Sequence, residues 1–198
     1  MSGRPVAALA AAALSLVGTR AQAASVFDLF GDLCLATRAE PAAALAKAEA
    51  LGWSAAPPRL VRILTKPSEP GEVTTGAAGR AARDLHGKLA VVVARTSWMV
   101  PRREMPADTC SIVAGPSVDM AAVARDVERF AATPAQRGLA FQKNAIGYLW
   151  RDLEGRREPL SPEQLAADPF SGDVTMLVVT QLRGVVVLQL FVPAREKI

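Results

Sequence analysis

Histidine is almost missing from this 198-residue chain, where His86 stands alone, and cysteine is restricted to Cys34 and Cys110. A zinc site asks for two or more further Cys or His ligands beyond such a pair, so a dedicated metal centre has no donor set here. A thiol redox centre would favour a C-x-x-C spacing, which these two positions do not have. A serine hydrolase would have to use His86 as its base, and neither G-x-S-x-G nor S-x-x-K offers a prepared serine. G-x-x-x-x-G-K-[ST], H-E-x-x-H and calcium-loop patterns are also absent, so no cofactor-binding or metal-binding motif is in place. After the N-terminus no apolar run approaches the roughly 20 residues of a spanning helix, since Val174 to Val192 is broken by Gln181, Arg183, Gly184 and Gln189. Its short β-branched runs read as strands.

The N-terminus itself carries a pattern of export. Arg4 precedes an apolar run from Val6 to Val17 that has only Ser15 as a polar interruption, and Ala21-Gln22-Ala23 supplies the small-x-small pattern of a signal peptidase site. Residues 1–23 are therefore expected to be a cleavable signal peptide, leaving 24–198 as a single domain without a transmembrane segment, periplasmic or secreted. A lipoprotein would need a cysteine at the cleavage site, and Cys34 lies too far downstream.

Removal of that segment takes Arg4 and Arg20 with it, so a formal charge of +4 falls to +2. Such a balance does not make a phosphate-binding surface, and no nucleic-acid partner is expected. The denser cations, Arg102 with Arg103 and Arg151 with Arg156 and Arg157, are mixed with glutamate and read as solvated loops. In an oxidising compartment Cys34 and Cys110 are expected to form one structural disulfide. Closing a loop of about 76 residues is worth on the order of 4 kcal/mol in the chain-entropy model.

Along the expected mature chain, Ser25 caps a helix in which Val26, Leu29, Phe30, Leu33 and Cys34 share one face. Pro41 opens a second, alanine-rich helix that Gly52 ends, leaving Trp53 to fold back on Ala48. Together they predict an N-terminal helical hairpin. Strands are expected at 59–65, 88–98, 109–114 and 141–150, with a long loop over Lys66 to Gly87. Ser117 is expected to cap a helix striped by Met120, Val123, Ala124, Val127 and Phe130, and Ser161 to Gln164 form a capping box. Val174 to Leu182 and Val185 to Val192 flank Arg183-Gly184 as a β-hairpin. The order predicts an α+β fold, with a mainly antiparallel sheet of five or six strands and helices on one face.

Phe30-x-x-x-Cys34-x-x-Thr37, followed by Ala46-x-x-x-Ala50-x-Gly52-Trp53, resembles small exported alphaproteobacterial proteins of unknown function, as does Thr109-Cys110-Ser111-Ile112-Val113. The resemblance covers about a third of the expected mature chain and implies the compartment and the paired cysteines. It carries no catalytic residue.

The glycines between Thr74 and Arg80 read as a flexible loop rather than a phosphate cradle. Two stretches are candidate binding surfaces: the 66–87 loop, and the cluster Trp98, Arg102 and Arg103 around Met99-Val100-Pro101, since Trp and Arg concentrate at interfaces. The chain is thus expected to be a non-catalytic binding or interaction domain for an envelope protein or small ligand. The alternative is a hydrolase using His86, with Asp84 two residues away, or a carboxylate pair among Asp108, Asp126, Glu154, Asp168 and Asp173. N-terminal sequencing of the chain recovered from the cell envelope is expected to read Ala24 first; an intact Met1 would show that the leader is retained.

Overall fold

The computed structural model describes residues 25–67, 72–84, 87–100, 103–132, 135–137, 145–153, 156–161, 163–164, 174–182 and 184–194. Within them the chain is α+β and its sheet is antiparallel throughout. In chain order the strands are β1 (Ser54–Ala55), β2 (Glu72–Asp84), β3 (Gly87–Val100), β4 (Arg103–Ala114), β5 (Gln136–Arg137), β6 (Ala145–Leu153), β7 (Arg156–Pro159), β8 (Val174–Leu182) and β9 (Val185–Pro193). They lie in the order β1-β2-β3-β4-β9-β8-β6-β5, with β7 also paired to β6. The sheet therefore exceeds the five or six strands expected from the sequence.

The N-terminal segment is shaped by its caps. Ser25 and Asp28 exchange hydrogen bonds, the Ser25 amide donating to Asp28 Oδ2 at 2.9 Å and the Asp28 amide to Ser25 Oγ at 3.0 Å. This opens α1 (Val26–Phe30), which continues as a π-helical turn over Gly31–Leu35. That wider turn, in which the Ala36 amide reaches Gly31 O at 2.9 Å, leaves both Leu33 and Cys34 buried. Arg38 and Ala39 then take left-handed backbone conformations (φ 53° and 58°), reversing the chain into α2 (Pro41–Ala50). Glu40 caps α2 by accepting from the Ala42 and Ala43 amides. At its far end Gly52 (φ 79°) donates to Glu49 O and the Trp53 amide to Ala48 O, a Schellman arrangement that returns Trp53 to the core beside Ala48.

Four expectations are corrected. Residues 58–64 form a helix, α3 (Pro58–Leu64), where a strand was expected over 59–65. Four apolar residues in six positions fit either period, but Pro58 sits in the first turn and Leu60 and Leu64 meet Ala90, Val113 and Val187 from one helix face. Second, the 66–87 loop is largely β2; its small residues carry little strand propensity and acquire order by pairing with β3 from Glu72 to Asp84. Third, Asp119, not Ser117, caps α4 (Met120–Ala131), accepting from the Ala121 amide at 2.9 Å. Fourth, the helices do not share one face: α1, α2 and α4 cover one side of the sheet and α3 the other.

Other readings agree with the structure. The capping box at Ser161 and Gln164 is present, and Leu182 and Val185 are register partners across Gly184 (φ 83°). Residues 141–144 lie outside the described set, and β6 begins at Ala145.

Strand register explains the core. Ala78, Val93, Cys110, Leu190, Leu177 and Tyr148 are successive partners across β2, β3, β4, β9, β8 and β6, forming one row on the face that α1, α2 and α4 cover. Three register positions along, a row on the opposite face includes Ala90, Val113 and Val187, on which α3 rests. Both faces are thus buried here, which is why β3 reads as an unbroken apolar run from Leu89 to Ala94 rather than an alternation.

Tyr148, 1% exposed, ends the first row and donates its hydroxyl to Ala124 O of α4 at 3.0 Å. Burial, with a smaller push from the Glu128 charge, raises its pKa from 10.0 to about 12. The resulting stability is complete below pH 10 and is lost as pH rises towards about 12, because the unfolded tyrosine ionises first. Tyr148→Phe is expected to cost about 1 kcal/mol near neutrality and to flatten the alkaline loss of stability, measured as urea midpoint against pH.

Candidate interaction surface

The strands that carry Trp98 and Arg103 continue together past the last β4–β9 pair. β4 pairs with β9 only from Ala107 to Ala114, whereas its pairing with β3 continues through Pro106, Met105, Glu104 and Arg103. Four residue pairs correspond to a ribbon of about 13 Å. β2 follows β3 along its other side as far as Glu72 opposite Trp98. Among the described residues, no strand pairs with β4 on its β9 side over Arg103–Pro106; the last contact there is the Ala194 amide donating to Pro106 O at 2.9 Å. Pro106 itself has no amide to offer a further strand.

The base of this ribbon is tied twice. Arg95 and Asp108 are direct register partners, and the guanidinium holds the carboxylate with two hydrogen bonds, Nε to Oδ1 at 2.9 Å and Nη2 to Oδ2 at 3.2 Å. The Asp108 side chain is 10% exposed and that of Arg95 45%, so the pair straddles the boundary between core and solvent. Hydrogen bonding to Asp108, and then its charge, raise the Arg95 pKa, with a smaller contribution from Glu40 at the start of α2. One position inward, Thr109 Oγ1 donates to Ala94 O at 3.1 Å. The forked geometry fixes the relative position of the strands more tightly than a point charge would.

Trp98 occupies β3 opposite Met105, and Arg103 opens β4 opposite Val100. The hairpin therefore places the two on adjacent strands two register positions apart at one end of the sheet, while Arg102 lies outside the described residues. Nearby on β2, Val73 is 52% exposed and Thr75, Gly76 and Ala77 are exposed; this stretch includes the register shift between Thr75 and Ala78. The glycines of 74–80 thus belong to a bulged strand.

Of the residues considered for hydrolysis, Asp84, Asp108 and Asp126 lie among the described residues. Asp84 ends β2 opposite Gly87, and His86, between them in sequence, lies outside the described residues, as do Glu154, Asp168 and Asp173. Asp108 is held by Arg95, and Asp126 pairs with Arg129 on α4. Among the described residues no group of three or more His, Cys, Asp or Glu side chains could hold a metal. No family model, curated protein or solved structure matches this chain.

Arg151, Arg156 and Arg157, expected in a solvated loop, lie instead in strands, Arg151 on β6 and Arg156 and Arg157 on β7. Arg157 on the exposed strand β7 is stacked 3.8 Å above the Phe130 ring and donates Nη1 to Phe130 O at 2.9 Å. It thereby satisfies a carbonyl near the end of α4 and covers an aromatic group that includes Phe27 and Trp150. Sequence spacing gives no sign of it, because Phe130 and Arg157 are 27 residues apart.

A double-mutant cycle with Arg95→Met and Asp108→Asn is expected to give a coupling energy of about 1 kcal/mol, reduced by solvent at the half-exposed guanidinium. Strictly additive urea-denaturation values would remove the Arg95–Asp108 pair as the tie of the ribbon.

Proposed function

We propose that this chain is an exported, non-catalytic interaction domain that engages an envelope protein or small ligand through the end of the β3–β4 ribbon. The reading is carried by the four β3–β4 pairs that continue beyond the last β4–β9 pair. A sheet needs no such extension to bury its core, and this one places Trp98 and Arg103 at its end. Trp and Arg supply large contact area and directed hydrogen bonds where proteins meet partners. The clasp at Arg95 and Asp108 limits the entropy lost on docking, because the strand pair is already ordered at its base.

Export is supported by the disulfide between Cys34 and Cys110, since structural disulfides persist mainly where thiols are oxidised. Among the described residues no helix is long and apolar enough to cross a membrane. The signal peptide at 1–23 gives the route.

The test compares the chain with a Trp98→Ser/Arg103→Ser variant, both immobilised and exposed to envelope extract and a small-molecule library. The parent is expected to retain a partner or ligand that the variant loses at least tenfold, with circular dichroism unchanged. Equal retention by both would move the surface elsewhere, and no retention by the parent would count against the interaction reading itself.

A further inference from the structure

Cys34 and Cys110 are bonded in the middle of the core, each 0% exposed, with their Cα atoms 5.5 Å apart. Cys110 sits on the central strand β4, and Cys34 reaches it from the π-helical turn that follows α1. Phe30, Leu33, Ala44, Ala48, Val93 and Leu190 belong to the same buried cluster. Thiol–disulfide exchange requires an external sulfur to approach one of these atoms in line with the bond being broken. The closed core offers no such approach.

We propose that oxidation of this chain precedes docking of α1 and its π-helical turn, and that a mixed disulfide on Cys34 holds that segment off the sheet until Cys110 resolves it. The donor is a disulfide, either low-molecular-weight or carried by an oxidoreductase. The Cys34 thiolate attacks one donor sulfur, breaking the donor bond, forming a Cys34–donor disulfide and releasing the other donor sulfur as thiolate. The Cys110 thiolate then attacks Cys34 Sγ and expels the remaining donor thiolate. Two electrons pass from the cysteines to the donor, which leaves as two thiols after taking up the two protons that the cysteines lose.

Burial makes the order obligatory. An adduct on Cys34 carries at least one extra sulfur and its substituent into a site with no exposed area, where even one added methylene strains a packed core. The intramolecular bond adds no atoms. With only two cysteines no wrong intramolecular pairing exists.

The test uses purified chain in vitro and is independent of export and of the ribbon. A Cys110→Ala chain is prepared with Cys34 as the free thiol and, separately, as its glutathione disulfide, with Cys34→Ala/Cys110→Ala as the docked reference. Limited proteolysis followed by mass spectrometry is expected to cut the adduct within residues 25–50 at least tenfold faster than the free-thiol form. Dithiothreitol is expected to restore protection. In parallel, the folded, reduced parent chain is expected to react with an aromatic disulfide about 100-fold more slowly than the chain in denaturant. Undiminished protection of the adduct, or equal thiol reactivity folded and unfolded, would overturn the proposal; loss of protection spreading beyond residue 50 but reversed by reduction would sustain it.

Discussion

The covalent tie between Cys34 and Cys110 is the constraint on which the rest of the molecule depends. Cys110 occupies the middle of a register row that crosses six strands from Ala78 to Tyr148, so whatever fixes Cys110 in depth and orientation fixes the inward face of the whole sheet. Cys34 brings the N-terminal helical segment onto that row. The π-helical turn that carries it, the left-handed pair Arg38 and Ala39, and the cap at Glu40 follow in immediate succession. Each reverses or redirects the chain so that α2 returns along the same face.

Structural disulfides of this kind persist mainly where thiols are oxidised. The disulfide fastens the segment from Val26 to Leu35 to a strand that comes much later in sequence. Hydrophobic contacts from Phe30 and Leu33 supply adhesion, but such contacts are not directional. The disulfide supplies register.

Much of the helical organisation was legible in the sequence because its signals are local. Ser25, Pro41, Gly52 and the stripe from Met120 to Phe130 each act through neighbours within a turn or two. The disulfide followed from the count of two cysteines together with the oxidising compartment that the N-terminal pattern suggests. What escaped was non-local: β2 contains Gly76, Ala77, Ala78 and Gly79, residue types depleted in strands, and is held in place by a ladder to β3 that no window of sequence displays. α3 was misread because Leu60, Val61, Ile63 and Leu64 satisfy two periodicities at once. The cap at Asp119 was missed in favour of Ser117 because either residue type can accept from a helix amide, and only the position of Met120 as the first helical residue decides between them. For the candidate surface, composition pointed to Trp98, Arg102 and Arg103, but the fork between Arg95 and Asp108 at the base of the β3–β4 ribbon joins residues 13 apart on different strands.

The meeting of β4 with β9 has a further consequence for how the chain must be completed. β2, β3 and β4 form a meander from the first part of the sequence, whereas β6 and β8 assemble on the far side after α4 has crossed over. Among the described strands only β9 joins the two groups, pairing with β4 on one side and β8 on the other. Until Val185 to Pro193 has emerged, the future centre of the sheet consists of two open edges, each with unpaired backbone and β-branched side chains. A chain stopped short of that strand would therefore be two sticky half-sheets, and the interval between synthesis of β8 and arrival of β9 is when a chaperone has most to protect.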